Sequence, residues 1–458
     1  MSDQDKNQNI QAPVLKEQVR ENAVSVEATT AKLAKFGGFA ILETTVDGVQ
    51  NMNPEKKARK KIFLTEDSKK AERKALKKRL EMIATLLSSQ ESVAGLIEQA
   101  QNQSDTAKES LQQNLGKTLE ELRALETSYR SVANFFKNAD LDKVKNVNFL
   151  NADPDQVTDL DNTIFIDAVS EEFERNYDRL DLRDNYGILA LPGYLKSKAV
   201  VDKWARIAYK NKVMMITDFE HLDAPDDVVE LFESANLTGG DAYLSNVMMT
   251  CNWLVGRGKN ADLGEEEDLF VPPSTALAGK VYSTLMSQVT AGRKFGALNE
   301  QDGVRFALKK SEIANLEKTG LIPMVYEYGK VMPFSAKTLF TGDNIGLQTY
   351  SVVRVFDYIT KVLIDFLNRR AFENFNVNTR MDIQKQIVKF LDNITGPGKL
   401  IEKFKIIRFE QDPKQKDRIF LDIHMTPYFP AKNFLIKLDG QKGDDPDSAE
   451  WAAEYGQE

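Results

Sequence analysis

Residues 187–217 read GILALPGYLKSKAVVDKWARIAYKNKVMMIT, and the fold class follows from how this stretch alternates. Gly187–Leu191 and Val213–Thr217 are apolar runs of strand length, whereas Lys196–Tyr209 between them reads as a helix. A strand, a helix and a second strand in that order form the repeating unit of an α/β sheet. The pattern extends outward from about Val144. Val147–Leu150 and Ile164–Ile166 read as further strands, and Glu171–Asn176, Asp226–Ala235 and Asp241–Val255 as helices. Ala276–Val289 reads as another helix and Leu321–Phe334 as an extended pair.

The strongest single element runs from Leu347 to about Phe375 and is apolar around most of its circumference, which demands burial on several sides. Its one charged stripe is Arg354, Asp357, Lys361 and Asp365, spaced so that neighbouring opposite charges meet along one face. After a helix at Met381–Leu391 come three strands, Phe404–Phe409, Ile419–Met425 and Phe434–Leu438. The expected class is therefore α/β (α+β), a mixed-sheet core with long helices and a C-terminal antiparallel β segment. Residues 141–440 form the core, and the acidic residues 441–458 are expected to be a loose tail.

The N-terminal part differs in kind. Residues 1–30 are polar with scattered single apolar residues and are expected to be a flexible leader. Residues 31–140 hold a β-prone run, Phe39–Val46, framed by Gly37-Gly38 and Asp47-Gly48, and then a helical region carrying Leu111, Leu115, Leu122 and Leu125 up to about Asn138. The β-prone run has no partner nearby in sequence. Between Lys56 and Arg79, twelve Lys or Arg face Glu66, Asp67 and Glu72, a local charge of +9 in a 458-residue chain whose net charge is −8. Whole-molecule polyanion binding is thereby disfavoured, while the basic segment keeps a nucleic-acid reading open, with only Phe63 available for base stacking. The single cysteine, Cys251, cannot form an internal disulfide, the first residues lack the pattern of a signal peptide, and no apolar run has the length to cross a bilayer, so a cytoplasmic, non-membrane protein is expected.

The chemical signals are weak. Two histidines, His221 and His424, are too few for most hydrolase schemes. His221 lies among Asp218, Glu220, Asp223, Asp226 and Asp227, an arrangement that either holds a metal or simply begins a helix with acids that complement its dipole. Asp153, Asp155, Asp159 and Asp161 lack the Gly and Glu that a calcium-binding EF-hand loop needs. Gly256-Arg257-Gly258-Lys259 is a phosphate-sized turn that is expected to follow a helix and to terminate it. Cys251 is placed on an apolar helix as a core thiol. No catalytic residue, cofactor site or metal site is assigned. A lone strand near one end and β structure at the other point instead to strands paired between chains, which propagate head to tail into helical polymers.

Several segments resemble the large sheath subunit of bacterial type VI secretion systems, the TssC/VipB family. Leu125-Glu126-Thr127-Ser128-Tyr129-Arg130 is similar to the family's LExxWR helix, with Tyr129 in place of Trp, and Tyr186–Ala190 resembles its YGVLIGD strand without the acidic end. Glu312, Leu316 and Gly320-Leu321-Ile322-Pro323-Met324 resemble the segment that enters a family strand. Arg354, Phe356, Tyr358 and Lys361 fall near the pattern of its RFAHYLK helix, with Asp357 replacing His, and Asp422–Phe429 resembles its closing motif. The resemblance runs from about residue 117 to 440 and its departures fit a Bacteroidetes-like branch. It implies a structural protein, not an enzyme, that polymerises with itself and with a small sheath subunit (TssB/VipA type). The resulting sheath would surround an inner tube of Hcp type, meet a baseplate, contract, and be dismantled by a ClpV-type unfoldase. It also implies that neighbouring subunits are linked by shared strands, with Phe39, Ile41, Leu42, Thr44 and Val46 as the linking arm or Lys61–Leu64 in its place, and Phe434, Ile436 and Leu438 as the C-terminal edge strand. The helix bearing Arg354, Asp357, Lys361 and Asp365 would lie near the tube; internal pairing of the stripe is the alternative. A nucleic-acid-binding capsid-like polymer and, more remotely, a metal-dependent α/β enzyme remain the competing functions.

Overall fold

The computed structural model describes residues 65–89, 92–142, 144, 147–183, 185–432, 434–441 and 449–456. The leader, the Phe39–Val46 arm and Lys61–Leu64 lie outside the described residues. The chain divides into two units, Met1–Lys117 and Thr118–Glu458.

In the first unit, helix α1 (Lys70–Ser89) follows a single 3-10 turn, and its start is rich in Lys, Ala, Arg and Leu, all strong helix formers. Helix α2 (Val93–Asn138) begins at Ser92, whose hydroxyl accepts from Gly95 N at 3.1 Å and so satisfies one of the helix's open amides.

The second unit contains the end of α2 and helices α3 (Ile164–Tyr177), α4 (Lys198–Lys210), α5 (Pro225–Ala235), α6 (Ser274–Ser283), α7 (Lys310–Lys318), α8 (Tyr350–Asn368) and α9 (Val377–Asn393). Its central sheet is built from β1 (Ile188–Leu191), β2 (Met214–Asp218), β3 (Val247–Cys251), β6 (Ile322–Glu327) and β7 (Lys330–Pro333) in the order β1-β2-β3-β6-β7. The first four strands are parallel and β7 closes the edge antiparallel to β6. β2 and β3 are buried at every position because helices cover both faces of the sheet. On one face Met215, Val247 and Met249 pack with Trp204 of α4 and Phe232 of α5; on the other, Met214, Ile216 and Met248 meet Leu277 of α6 and Tyr350 and Val353 of α8.

Three expectations are corrected here. Ile164–Ile166 opens α3 instead of a strand, because Ile166, Val169 and Phe173 recur at helical spacing toward the core. Val147–Leu150 forms no strand; it has no ladder partner among the described residues, and Phe149 packs on Phe136 at 5.5 Å between ring centroids. Asp241–Val255 is not a helix but a 3-10 turn (Ala242–Asn246) followed by β3 and then β4 (Leu254–Arg257), which pairs with β5 (Leu269–Val271). Asn252 separates β3 from β4 in the left-handed conformation, φ 66°, and its amide donates to Phe306 O and Met324 O.

α8 joins two cores: Tyr350 and Val353 belong to the sheet side, while Val355 and Ile359 pack with Ile383 and Ile387 of α9 and with the antiparallel pair β8 (Ile401–Gln411) and β9 (Ile419–Pro427). β10 (Leu435–Gln441) then pairs antiparallel with β11 (Ala449–Gly456). The tail expected to be loose is thus half strand. Its register sets Trp451, Ala453 and Tyr455 opposite Gly440, Leu438 and Ile436, an alternation that its acidic composition hides.

The second-unit part of α2 is held by a charged network. Glu126 accepts from Arg257 Nε at 2.9 Å and from Arg130 Nη2 at 2.9 Å, Arg257 also pairs with Glu265 at 2.6 Å, and Arg130 donates to Gly256 O at 2.8 Å. The Arg257 guanidinium beside it lowers the Glu126 pKa. The carboxylate's contribution is therefore present above its unfolded pKa and is lost as pH falls through its folded one. Glu126→Ala is expected to cost about 1 kcal/mol at neutral pH, since the network is partly solvated, and less at acid pH, as read by urea denaturation.

Candidate assembly surfaces

The residues that suggested chemistry are all engaged in structure. The His221 ring lies between Trp253, at 5.1 Å, and Phe270, at 4.8 Å, with its pKa lowered by burial, and Asp223 pairs with Arg305 at 2.6 Å. Asp226 and Asp227 stand in the first turn of α5, where they complement its dipole. Asp153 caps the single helical turn Pro154–Thr158, and Asp159 Oδ1 accepts from the amides of Asp161 and Asn162. Among the described residues no group of three His, Cys, Asp or Glu is arranged to hold a metal.

Cys251 sits on β3, not on a helix, and burial pushes its thiol up, away from reactivity. Gly256–Lys259 begins within strand β4 and runs past its end, so no helix precedes it. Its amides are not open to a phosphate: Lys259 N donates to Asp268 Oδ1 at 2.8 Å and Asn260 N to Glu265 Oε2 at 2.8 Å.

The charged stripe on α8 is likewise turned inward. Arg354 is buried and donates to Val281 O at 3.3 Å; Asp357 accepts from Asn246 Nδ2 at 2.7 Å; Lys361 donates to Asn185 Oδ1 and Tyr186 O at 2.8 and 2.6 Å; Asp365 accepts from Leu182 N at 2.9 Å. Burial pushes the Asp357 carboxyl up and the Lys361 amine down to about 8. Of the two readings left open for the stripe, the contacts fit the one in which it is engaged within the chain. A helix apolar on most of its circumference is packed on several sides, and its charged side is drawn in with the rest.

The exposed apolar surface lies on α2. Leu122, Leu125, Tyr129, Val132 and Phe136 recur at intervals of three and four and are 47, 66, 72, 38 and 37 % exposed. This is an apolar stripe at coiled-coil spacing, largely uncovered among the described residues, with only Phe136 packing on a neighbouring ring, that of Phe149. The helix docks mainly by its polar side, with Phe135 packed against the Leu277 and Val281 cluster: Arg123 donates to Asp268 O at 3.1 Å, Asn134 accepts from Gln301 at 3.0 Å, and Asn138 accepts from Asn299 N at 2.8 Å. The heptad spacing was present in the sequence, but the docking partners lie more than a hundred residues away, so the inversion was not. A second exposed surface is β10, where Leu435, Ile436 and Leu438 are 64, 51 and 49 % exposed in a sheet of two strands. Phe434 precedes that strand and is exposed as well.

Three family models match in succession: the TssC/VipB-like N-terminal region over residues 26–115, the type VI secretion system TssC/VipB central domain over 117–341, and the TssC/VipB-like C-terminal domain over 349–457. The chain belongs to the TssC/VipB family. It is a structural subunit of a contractile sheath. The N-terminal match spans the Phe39–Val46 arm, and the C-terminal match spans β10 and β11.

Among solved structures, the TssC/VipB chain is similar to the helical sheath of the anti-feeding prophage in its contracted state, at 17 % identity over 67 % of this chain and 79 % of that one, TM-score 0.46. It is similar to the PVC sheath complex of an extracellular contractile injection system, also contracted, at 14 % identity over 69 % and 80 %, TM-score 0.46. A sheath tail protein from Desulfitobacterium hafniense matches at 13 % identity over 64 % and 58 %, TM-score 0.40. A comparison with curated proteins gives no match. No helix of the described residues is long and apolar enough to cross a membrane.

Proposed function

We propose that this chain builds the sheath by co-polymerising with a small TssB/VipA-type subunit around an Hcp-type tube in the cytoplasm, carries out no catalysis, and is recycled by a ClpV-type unfoldase. The observation that carries this reading is the inverted helix α2, docked by polar contacts and presenting Leu122, Leu125, Tyr129, Val132 and Phe136 outward. A helix with an apolar stripe of its own covers such a seam, and association buries it. The two-stranded β10–β11 sheet, marginal by itself in water, supports strand exchange in the same way: its outer edges accept a strand such as Phe39–Val46 from a neighbour.

The test is the double variant Leu122→Glu, Leu125→Glu co-expressed with the small subunit. Both positions are exposed, so the denaturation midpoint of the chain should move by about 0.5 kcal/mol or less. Co-purification of the small subunit and tubules in electron micrographs should both disappear. Wild-type tubules from the variant would refute the assignment of this surface.

A further inference from the structure

Among the described residues, one buried charge has no counter-charge within ion-pair distance. Arg354 is 9 % exposed, and the group acting on its pKa besides burial is the Tyr350 phenol, not a carboxylate. Its Nη2 donates to Val281 O at 3.3 Å, a long bond, while the buried Nη1 meets no hydrogen-bond partner. Guanidinium does not neutralise at physiological pH, so a buried one without an anion is costly.

The surrounding groups are donors too. Tyr350, Ser351 and Arg354 fall within about 100° of one another around the helix axis. Tyr350 Oη accepts from Thr290 N at 2.8 Å, which places residue 290 on this side of α8. Among the described residues the hydroxyls of Ser351 and Thr290 are buried and, like Nη1, lack a hydrogen-bond partner of good geometry, that of Thr290 having only a poorly aligned contact with the Tyr350 phenol. One guanidinium and two hydroxyls on one side of α8 share an unmet need for an acceptor, and the guanidinium needs a negative one. Water meets the hydrogen bonds but leaves the charge uncompensated.

We propose that this cluster holds a small inorganic anion of halide size, with Arg354 as its counter-charge and Ser351 and Thr290 as hydroxyl donors. Because the guanidinium is enclosed by its own chain, the ion is taken up as the subunit folds and not from a partner's side chain. The inference concerns the folded subunit and stands apart from the assembly reading.

The probe is chloride, applied to the full chain at constant ionic strength with gluconate as the replacing anion. A ligand that binds only the folded state at a hundredfold excess over its Kd raises the folded-to-unfolded ratio about a hundredfold. The thermal midpoint should therefore climb with chloride, and the 35Cl resonance should broaden on adding protein and sharpen on unfolding it. Arg354→Met should abolish both dependences. Should that variant fail to fold, Ser351→Ala with Thr290→Val keeps the charge and should weaken the chloride dependence at least several-fold. A midpoint indifferent to chloride in the unaltered chain overturns the proposal in favour of water. A dependence untouched by the substitutions places the halide elsewhere and overturns it equally.

Discussion

Gly279→Ala is expected to lower stability by about 3 kcal/mol or more, among the larger effects of any single methyl group in this chain. Gly279 lies on α6, and a Cβ built there falls 2.3 Å from Phe135 O and 3.0 Å from Ala139 N. Both obstacles are backbone at the end of α2, so no side chain can rotate out of the way. Either α6 leaves the sheet, uncovering Leu277 and Val281, or the last turn of α2 lifts and gives up the Asn138 contact to Asn299. Urea denaturation should show the loss, and amide exchange should show which helix yields. Gly187→Ala is the control: a Cβ there meets nothing within 4 Å, and its effect should stay within about 0.5 kcal/mol. Equal midpoints for the two variants would contradict the packing described.

Asp218→Asn is expected to cost about 2–3 kcal/mol at neutral pH and to remove a pH dependence. The carboxylate ends β2, is fully buried, and accepts four hydrogen bonds. Oδ1 takes the hydroxyl of Thr250 and the amide of Ser274, at 2.5 and 2.7 Å, while Oδ2 takes the amide of Gly193 and the hydroxyl of Ser274, at 2.8 and 2.6 Å. Whichever way an amide is turned, its NH2 confronts a backbone N–H that cannot reverse. Burial pushes the Asp218 pKa up to about 6 despite these donors. The folded chain therefore holds this proton at pH values where the unfolded chain, near 3.8, has released it. Between those values the native state binds more protons, so this group makes stability fall as pH rises, by about 3 kcal/mol across the window. The asparagine variant should lack that slope. A slope that persists would assign it to another group.

How much of this was legible in the sequence depended on where the deciding contacts lie. β1 and β2 were readable because Pro192-Gly193 and Asp218 bound their apolar runs, and the β6–β7 pair because it closes locally through Tyr328-Gly329. β3 was misread because the apolar residues from Tyr243 to Val255 run on without Gly or Pro, and the break is made by a left-handed Asn252 held from residues 306 and 324. β11 was hidden by acidic composition, its strand character residing in pairing with β10. For the assembly surface, spacing was visible on both α8 and α2, but direction was not. The α8 charges, for which an outer and an inner reading stood side by side, turn inward to residues 182–186 and 246, whereas the α2 stripe, whose direction spacing alone leaves open, is exposed. Periodicity tells which residues share a side; the far-off groups that meet that side decide which way it points.

The outward seam of α2 also bears on how cells must make this protein. A copy released from the ribosome carries a row of exposed leucine and aromatic side chains, a patch of the kind that promotes clumping. If the proposed small subunit covers that row, then a matched supply of it becomes a solubility requirement before any sheath is assembled.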